Sequence, residues 1–187
     1  MPHPLSAAFL RRLSHHLHKG GLVAYPTESC YGIGCLPRHP QALARLVRLK
    51  KRPQHKGMIV IGDHIGRLKP LLQAVSAEDE QSLAHIWPAR KTFLLPSEPH
   101  LPALLRGKGR DKLAVRVPDH ELARALCQRL RSPLVSTSCN LSGRRACRRE
   151  RDVRRQFGRR LWVVGGRVGN AQTPSQIIDW ASRQRLR

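Results

Sequence analysis

The sequence predicts an α/β fold, and three observations carry that prediction. Segments with apolar residues at helical spacing alternate with runs of three to five consecutive apolar residues along the whole chain, the pattern of helices interspersed with buried strands in a partly parallel sheet. The 187 residues suffice for one sizeable core. No internal repeat and no Pro- or Ser-rich linker divides them, so one domain over 1–187, with its core at about 5–180, is expected.

Each element has its own signal. Over 5–19, Phe9, Leu10, Leu13 and Leu17 form an apolar stripe that Gly20-Gly21 stops, which predicts a helix. His15, His16 and His18 fall largely on its wet side, so amphipathicity explains them better than metal binding. Leu22 to Tyr25 reads as a short buried strand ended by Pro26. Leu43, Leu46 and Val47 give residues 40–50 a helical period before Lys50-Lys51-Arg52-Pro53. Met58 to Ile61 is a strand, and helices are expected at about 64–74 and 77–86, the second with Glu78, Asp79 and Glu80 in its first turn, where the helix dipole favours acids. Strands follow at Thr92 to Leu95 and Leu113 to Val117, a helix at 119–130, and strands at 133–136 and 161–164. Residues 144–160 hold nine arginines. At helical spacing Arg144, Arg148, Arg151 and Arg155 share one face, a solvated surface at minimum and a candidate phosphate-tracking stripe.

Thirty-five Lys and Arg against 12 Asp and Glu give a formal charge of +23, which points to polyanionic company or to a basic, solubilising surface. No apolar run approaches the roughly 18 residues of a membrane span, and the N-terminus lacks the apolar core of a secretory signal, so a cytoplasmic location is expected. Five cysteines without a CxxC pair fit neither a disulfide framework nor a zinc knuckle. Twelve acidic residues leave few carboxylates for acid–base pairs or a protein-built magnesium cage, and no metal site is expected.

The usual nucleotide signatures, GxxxxGK[ST] and GxGxxG, are absent, as is GxSxG. Arg106-Gly107-Lys108-Gly109-Arg110 reads as a flexible turn rather than a phosphate loop. What remains are three polar segments, each after a predicted strand: Pro26 to Ser29, Arg116 to His120, and Ser136 to Gly143. With Lys50, Arg52 and Lys56 they sketch a cationic pocket lined by hydroxyls and amides, a lining that suits phosphate and carboxylate oxygens. Singly, each has a plain structural reading: Thr27 and Ser29 as turn caps, Ser136 to Ser138 bonding their own backbone, Arg116 paired with Asp119.

Taken together, "AYPTESCYGIGC", "LKKRPQHKGMIVI", "LAVRVPDH" and "PLVSTSCNLSG" resemble the YrdC-like family in content, order and spacing, most of all its short bacterial threonylcarbamoyl-AMP synthases. The resemblance implies a single twisted mixed-sheet domain with a large basic cavity. It implies a reaction in which L-threonine, bicarbonate or CO2, and ATP with its Mg²⁺ give L-threonylcarbamoyl-adenylate and pyrophosphate. That product feeds t6A37 formation in tRNA through a downstream threonylcarbamoyl-transferase complex. Long members carry an additional C-terminal domain, which this chain is expected to lack. By matching motif, Thr27 and Arg116 would serve threonine. Lys50 and Arg52, the expected catalytic pair, would hold ATP phosphates, with Lys56, Thr92, Ser136, Ser138 and Asn140 also on the nucleotide. Glu28 would draw the threonine ammonium, help place Mg²⁺ or pair with the KxR basics. Ser175 matches a serine of the family, with Gln176 in place of the threonine that often follows.

One segment departs from the family: Trp87-Pro88-Ala89-Arg90-Lys91-Thr92 stands where Trp-Pro-Gly-Pro-x-Thr is usual. Loss of the glycine would make any φ > 0 costly at Ala89, and Lys91 is expected to compensate by reaching the triphosphate. The competing reading is a non-catalytic factor on the same fold that binds double-stranded RNA or assists ribosome assembly, contacting RNA through Arg148, Arg151 and Arg155. The low aromatic content, 4%, argues against single-strand stacking.

Overall fold

The computed structural model describes residues 5–53 and 55–187. In chain order the elements are α1 (Ala7–His18), β1 (Val23–Pro26), β2 (Tyr31–Gly34), α2 (Pro40–Lys50), β3 (Ile59–Ile61), α3 (Ile65–Leu68), α4 (Ala77–Ile86), β4 (Lys91–Pro96), α5 (Ala103–Arg106), β5 (Lys112–Arg116), α6 (Glu121–Leu130), β6 (Leu134–Ser138), α7 (Glu150–Phe157), β7 (Trp162–Val163) and β8 (Gln176–Asp179). Side chains open the longer helices. Ser6 Oγ accepts from Phe9 N, Ser76 Oγ from Asp79 N, and the His39 and His120 rings from Ala42 N and Ala123 N.

All eight strands join one mixed sheet in the order β7-β1-β2-β6-β3-β5-β4-β8. β1 runs parallel to β7, β3 to β5 and β4 to β8, and the other four pairings are antiparallel. The two-residue alternation of strands sorts the side chains cleanly. Ala24, Ile33, Val60, Phe93, Val115 and Val135 point to one face and form the larger core with Leu43 and Leu46 of α2, Leu83 of α4 and Phe157 of α7. Val23, Tyr25, Ile61 and Leu134 point to the other, where Leu13 and Leu17 of α1 and Leu126 of α6 cover them. Full burial of each of these leucines stabilises the fold by about 2 kcal/mol. The α1–α6 pair covers only part of that second face, and the uncovered part is the floor of the site.

Several expectations change. The expected helix at 64–74 is the four-residue α3 followed by a single 3-10 turn, Lys69–Leu71, where Pro70 lacks the N–H a longer helix needs. The arginine-rich segment becomes helical only from Glu150, so Arg144 and Arg148 lie in the preceding loop and share no helix face with Arg151 and Arg155. β2 and β8 were not anticipated. Tyr31-Gly32-Ile33-Gly34 reads as a turn, yet it is a fully buried strand between β1 and β6. Its glycines serve close approach rather than turning: a Cβ at Gly34 would sit 1.7 Å from the Val135 carbonyl oxygen. Gly34→Ala is therefore expected to cost more than about 3 kcal/mol by prying β2 from β6, read as a fall of ten degrees or more in Tm.

Candidate active site on the uncovered sheet face

A cavity of about 980 Å³ lies on the uncovered face. Its floor is read from alternate residues of six strands: Gly32 of β2, Ser136 and Ser138 of β6, Ile59 of β3, Lys112, Ala114 and Arg116 of β5, Leu94 of β4 and Ile177 of β8. Ile59, Ala114 and Leu94 stand opposite one another and make an apolar strip. The walls come from loops, with Thr27, Arg52, Asn140, Arg148, Ser175 and Arg187 among them, and among the described residues Asp111 is the one carboxylate side chain in the lining. The lining is thus strongly cationic.

The polar segments do not gather at one edge of the sheet. β5 runs antiparallel to β1 and β6, so Arg116 ends its strand at the opposite edge from Thr27 and Ser138. Glu28 spans the gap. Its two carboxylate oxygens accept from Nη1 and Nη2 of Arg116, both at 3.1 Å, and Oε1 also accepts from Asp119 N at 2.9 Å. Glu28 and Arg116 are 5% and 7% exposed, so the ion pair is desolvated and its two-pronged geometry is what makes it tolerable. The KxR basics are not its partners, and Asp119 pairs instead with Arg124, at 3.7 Å. Arg116 Nε is buried with no partner among the described residues, a donor left for a ligand in the cavity that Arg116 lines.

Lys50 is placed differently from expectation. It is 3% exposed and does not line the cavity. Its Nζ donates to the carbonyl of Ser138, to that of Asn140 at 2.8 Å and to Asn140 Oδ1 at 3.3 Å. Ser138 Oγ donates to the same Oδ1 at 2.6 Å, and Asn140 Nδ2 donates to the Arg144 carbonyl at 2.7 Å. Lys50 therefore fixes the turn that presents Ser138 and Asn140. Burial first, and the Arg52 cation second, lower its pKa from 10.5 to about 8. Arg52 does line the cavity, steadied by the carbonyls of Lys56 at 3.2 Å and Gly57 at 2.7 Å. Lys56 itself is exposed and outside the lining.

Thr27 and Ser136 line the cavity and are 4% and 6% exposed, Thr27 Oγ1 donating to the Cys30 carbonyl at 2.7 Å. Ser175 lines it too, its hydroxyl 2.9 Å from that of Thr92, which is fully buried behind it. Lys91 is exposed on the first residue of β4 and does not line the cavity. Nor is Ala89 strained. It has no positive φ, and its N–H bonds the Val117 carbonyl at 3.1 Å. Arg90 donates to Thr173, so the departure from the family pattern is absorbed at the surface. Of the three arginines assigned to RNA, Arg148 turns into the cavity and donates to the Ala171 and Gly169 carbonyls, while Arg151 and Arg155 are exposed on α7.

Arg187 was missed by the sequence reading. Leu186 and Arg187 fold back on Ile177, and the Arg187 guanidinium donates to the Ser175 carbonyl at 3.0 and 3.2 Å from within the lining. Burial, then the nearby Arg116, lowers its pKa; burial, then Arg187, lowers that of Arg52. Three guanidinium groups thus repel one another around one cavity, an arrangement that a polyanion relieves.

This is an α/β domain with a cavity lined by cations and hydroxyls on an open sheet face. The protein-family model for the Sua5/YciO/YrdC domain, described as telomere recombination, matches residues 15–187, and the chain belongs to that family. It is 61% identical over 183 residues to a threonylcarbamoyl-AMP synthase of Neisseria gonorrhoeae, covering 98% of this chain and 97% of the relative. A crystal structure of P. abyssi Sua5 complexed with L-threonine superposes with a TM-score of 0.82 at 28% identity; the match covers 95% of this chain and 53% of the other, so the chain spans about half of that structure's length. E. coli YciO, at 24% identity and a TM-score of 0.78 over 97% of this chain and 91% of that one, shares the fold.

The depressed Lys50 pKa gives a test. A cation whose pKa is lower folded than unfolded favours the folded state as pH rises through the window between the two values. From pH 8 to 10.5 the native protein is expected to gain stability relative to Lys50→Met, by on the order of 2 to 3 kcal/mol, measured by urea denaturation at several pH values.

Proposed function

We propose that this chain synthesises L-threonylcarbamoyl-adenylate from L-threonine, bicarbonate or CO2, and ATP, releasing pyrophosphate, and that the product serves t6A37 formation in cytoplasmic tRNA through a threonylcarbamoyl-transferase complex. The observation that carries the reading is the cavity: buried hydroxyls, an ion-paired arginine with a free N–H and converging guanidiniums around one cavity, in a chain 61% identical to a threonylcarbamoyl-AMP synthase.

The chemistry asks for positioning and charge neutralisation. The threonine amine adds to CO2, losing a proton to give a carbamate. A carbamate oxygen then attacks the α-phosphorus, and the bond to the β-phosphate oxygen breaks as pyrophosphate leaves. In this scheme Arg116, oriented by Glu28, takes the threonine carboxylate through Nε, and Thr27 and Ser136 close around the amino acid. Ser138 and Asn140, held by Lys50, stand at the α-phosphate, while Arg52 and Arg187 neutralise charge on the departing phosphates. Lys50 thereby acts as a positioning residue. Ser175, backed by Thr92, braces the carbonyl that orients Arg187. In this scheme Mg²⁺ enters as part of the ATP substrate.

Purified protein with Mg²⁺ and ATP is expected to release pyrophosphate only when threonine and bicarbonate are supplied, and Arg52→Ala to lower turnover more than tenfold. Release that ignores threonine contradicts the reading.

For RNA, the exposed arginines of α7 outside the cavity are the groups available. Arg151→Ala with Arg155→Ala is expected to reduce the salt dependence of tRNA binding by about 1.4 to 1.8 in the log–log slope and to leave adenylate synthesis unchanged. An unaltered slope assigns both arginines to the solvated surface.

A further inference from the structure

The segment Arg106-Gly107-Lys108-Gly109-Arg110 has no work in the scheme above, and sequence alone makes it a flexible turn. In the structure it is neither loose nor remote. Arg106, Gly109, Arg110, Asp111 and Lys112 line the same cavity as Arg52 and Ser138. The turn is locked to the one that carries Arg52. Met58 N donates to the Leu105 carbonyl at 2.8 Å, and a Cβ at Gly57 would lie 2.4 Å from the Arg106 carbonyl oxygen. At Gly107, whose φ is +93°, a Cβ would meet the His55 carbonyl oxygen at 2.7 Å. The Arg110 side chain packs over Gly107, its Cδ 3.3 Å from that same Cβ position.

The charges of this turn are unevenly satisfied. Lys112 is paired with Asp179 at 2.6 Å, and Arg106 donates to the Pro99 carbonyl at 3.1 Å. Among the described residues the Arg110 guanidinium has no bonding partner, and against Arg106, Lys108 and Arg110 the turn sets only Asp111. Surroundings differ as well. The Thr27, Ser136 and Arg116 region is under 10% exposed and rich in neutral donors, whereas residues 108–111 are exposed and offer mainly cations. Because β3 and β6 are antiparallel while β3 and β5 are parallel, the start of β5 lies on the same sheet edge as the end of β6, with the Arg52 turn between them. Two strand spacings, about 10 Å, separate the ends of β6 and β5.

We infer that the Arg106–Lys112 turn is a second anion subsite, built to take inorganic pyrophosphate as it parts from the adenylate at Ser138 and Asn140 and to pass it out through the exposed rim. The inference rests on the proposed synthase reading for the origin of its ligand, but the binding is measurable without the reaction. A buried, neutral-donor end suits a carbamate and an α-phosphate that must react out of water. An open, cationic end suits a highly charged leaving group that must become hydrated to depart.

The test titrates sodium pyrophosphate into the full chain by calorimetry, with no ATP or threonine present, and separately measures pyrophosphate as a product inhibitor. Arg110→Ala and Arg110→Glu are expected to weaken pyrophosphate binding at least five-fold and twenty-fold, and to raise the inhibition constant in parallel, with KM for threonine unchanged. Arg110→Lys should retain most of the affinity, and Arg155→Ala on α7 all of it. Arg110 is exposed, so these variants leave the fold intact. Wild-type affinity in both Arg110→Ala and Arg110→Glu, or no pyrophosphate binding by the native protein, overturns the subsite. If the native protein lacks synthase activity yet loses pyrophosphate affinity on these substitutions, the subsite stands and the synthase reading falls. If synthesis is normal and the affinities do not move, the reverse holds.

Discussion

The buried ion pair between Glu28 and Arg116 is the contact on which the site depends. The sheet is mixed, so the strands that carry the polar segments run in opposite directions, and nothing in the backbone ladder brings the exit of β1 to the exit of β5. Glu28 does so through three hydrogen bonds, two to Arg116 and one to the backbone of Asp119. Removing one partner of such a pair leaves an uncompensated buried charge, at a cost of about 3 to 5 kcal/mol. Specificity follows from the same contact. With Nη1 and Nη2 both bonded to Glu28, Nε is the buried Arg116 nitrogen left without a partner among the described residues, and its direction is fixed.

Around that pair the architecture divides labour between the two sheet faces. One face is fully covered and supplies most of the stability. The other is covered by α1 and α6 over only part of its width, which leaves a smooth floor with an apolar strip of Ile59, Ala114 and Leu94 flanked by hydroxyls and cations. A strip of that kind accepts a flat base, and the flanks accept phosphate and carboxylate oxygens. Lys50 shows how the turns at the rim are held. A buried ammonium bonded to two carbonyls and an amide oxygen ties down the Ser138–Asn140 turn.

Much of this was legible in the sequence, for physical reasons that differ by element. Strands such as Leu113 to Val117 and helices such as 40–50 and 77–86 announce themselves because burial imposes a strict period. β2 escaped because its glycines suppress every strand propensity; their purpose, the approach of Val135 to within what a Cβ would occupy, exists only once β6 is in place. The motif residues Thr27, Arg52, Arg116, Ser136, Ser138, Asn140 and Ser175 do meet in one lining, whereas Lys50 and Thr92 stand behind it and Lys56 and Lys91 lie outside. The three lysines share a cause: residue type says that a lysine is cationic, not whether its stem ends in a cavity, on a carbonyl or in water. The arginine-rich segment misled for a related reason. Arg144, Arg148, Arg151 and Arg155 read as one helical stripe, but the helix starts at Glu150, and Arg144 and Arg148 before it line the cavity.

Whether Glu28 orients Arg116 for the amino-acid substrate is tested most directly by steady-state kinetics on Glu28→Gln, with threonine and ATP varied separately. Glutamine keeps the shape but neither the charge nor two acceptors for the guanidinium. KM for threonine is expected to rise at least tenfold while KM for ATP changes less than twofold, with the variant still folded by circular dichroism. An unchanged KM for threonine in a folded Glu28→Gln protein contradicts it.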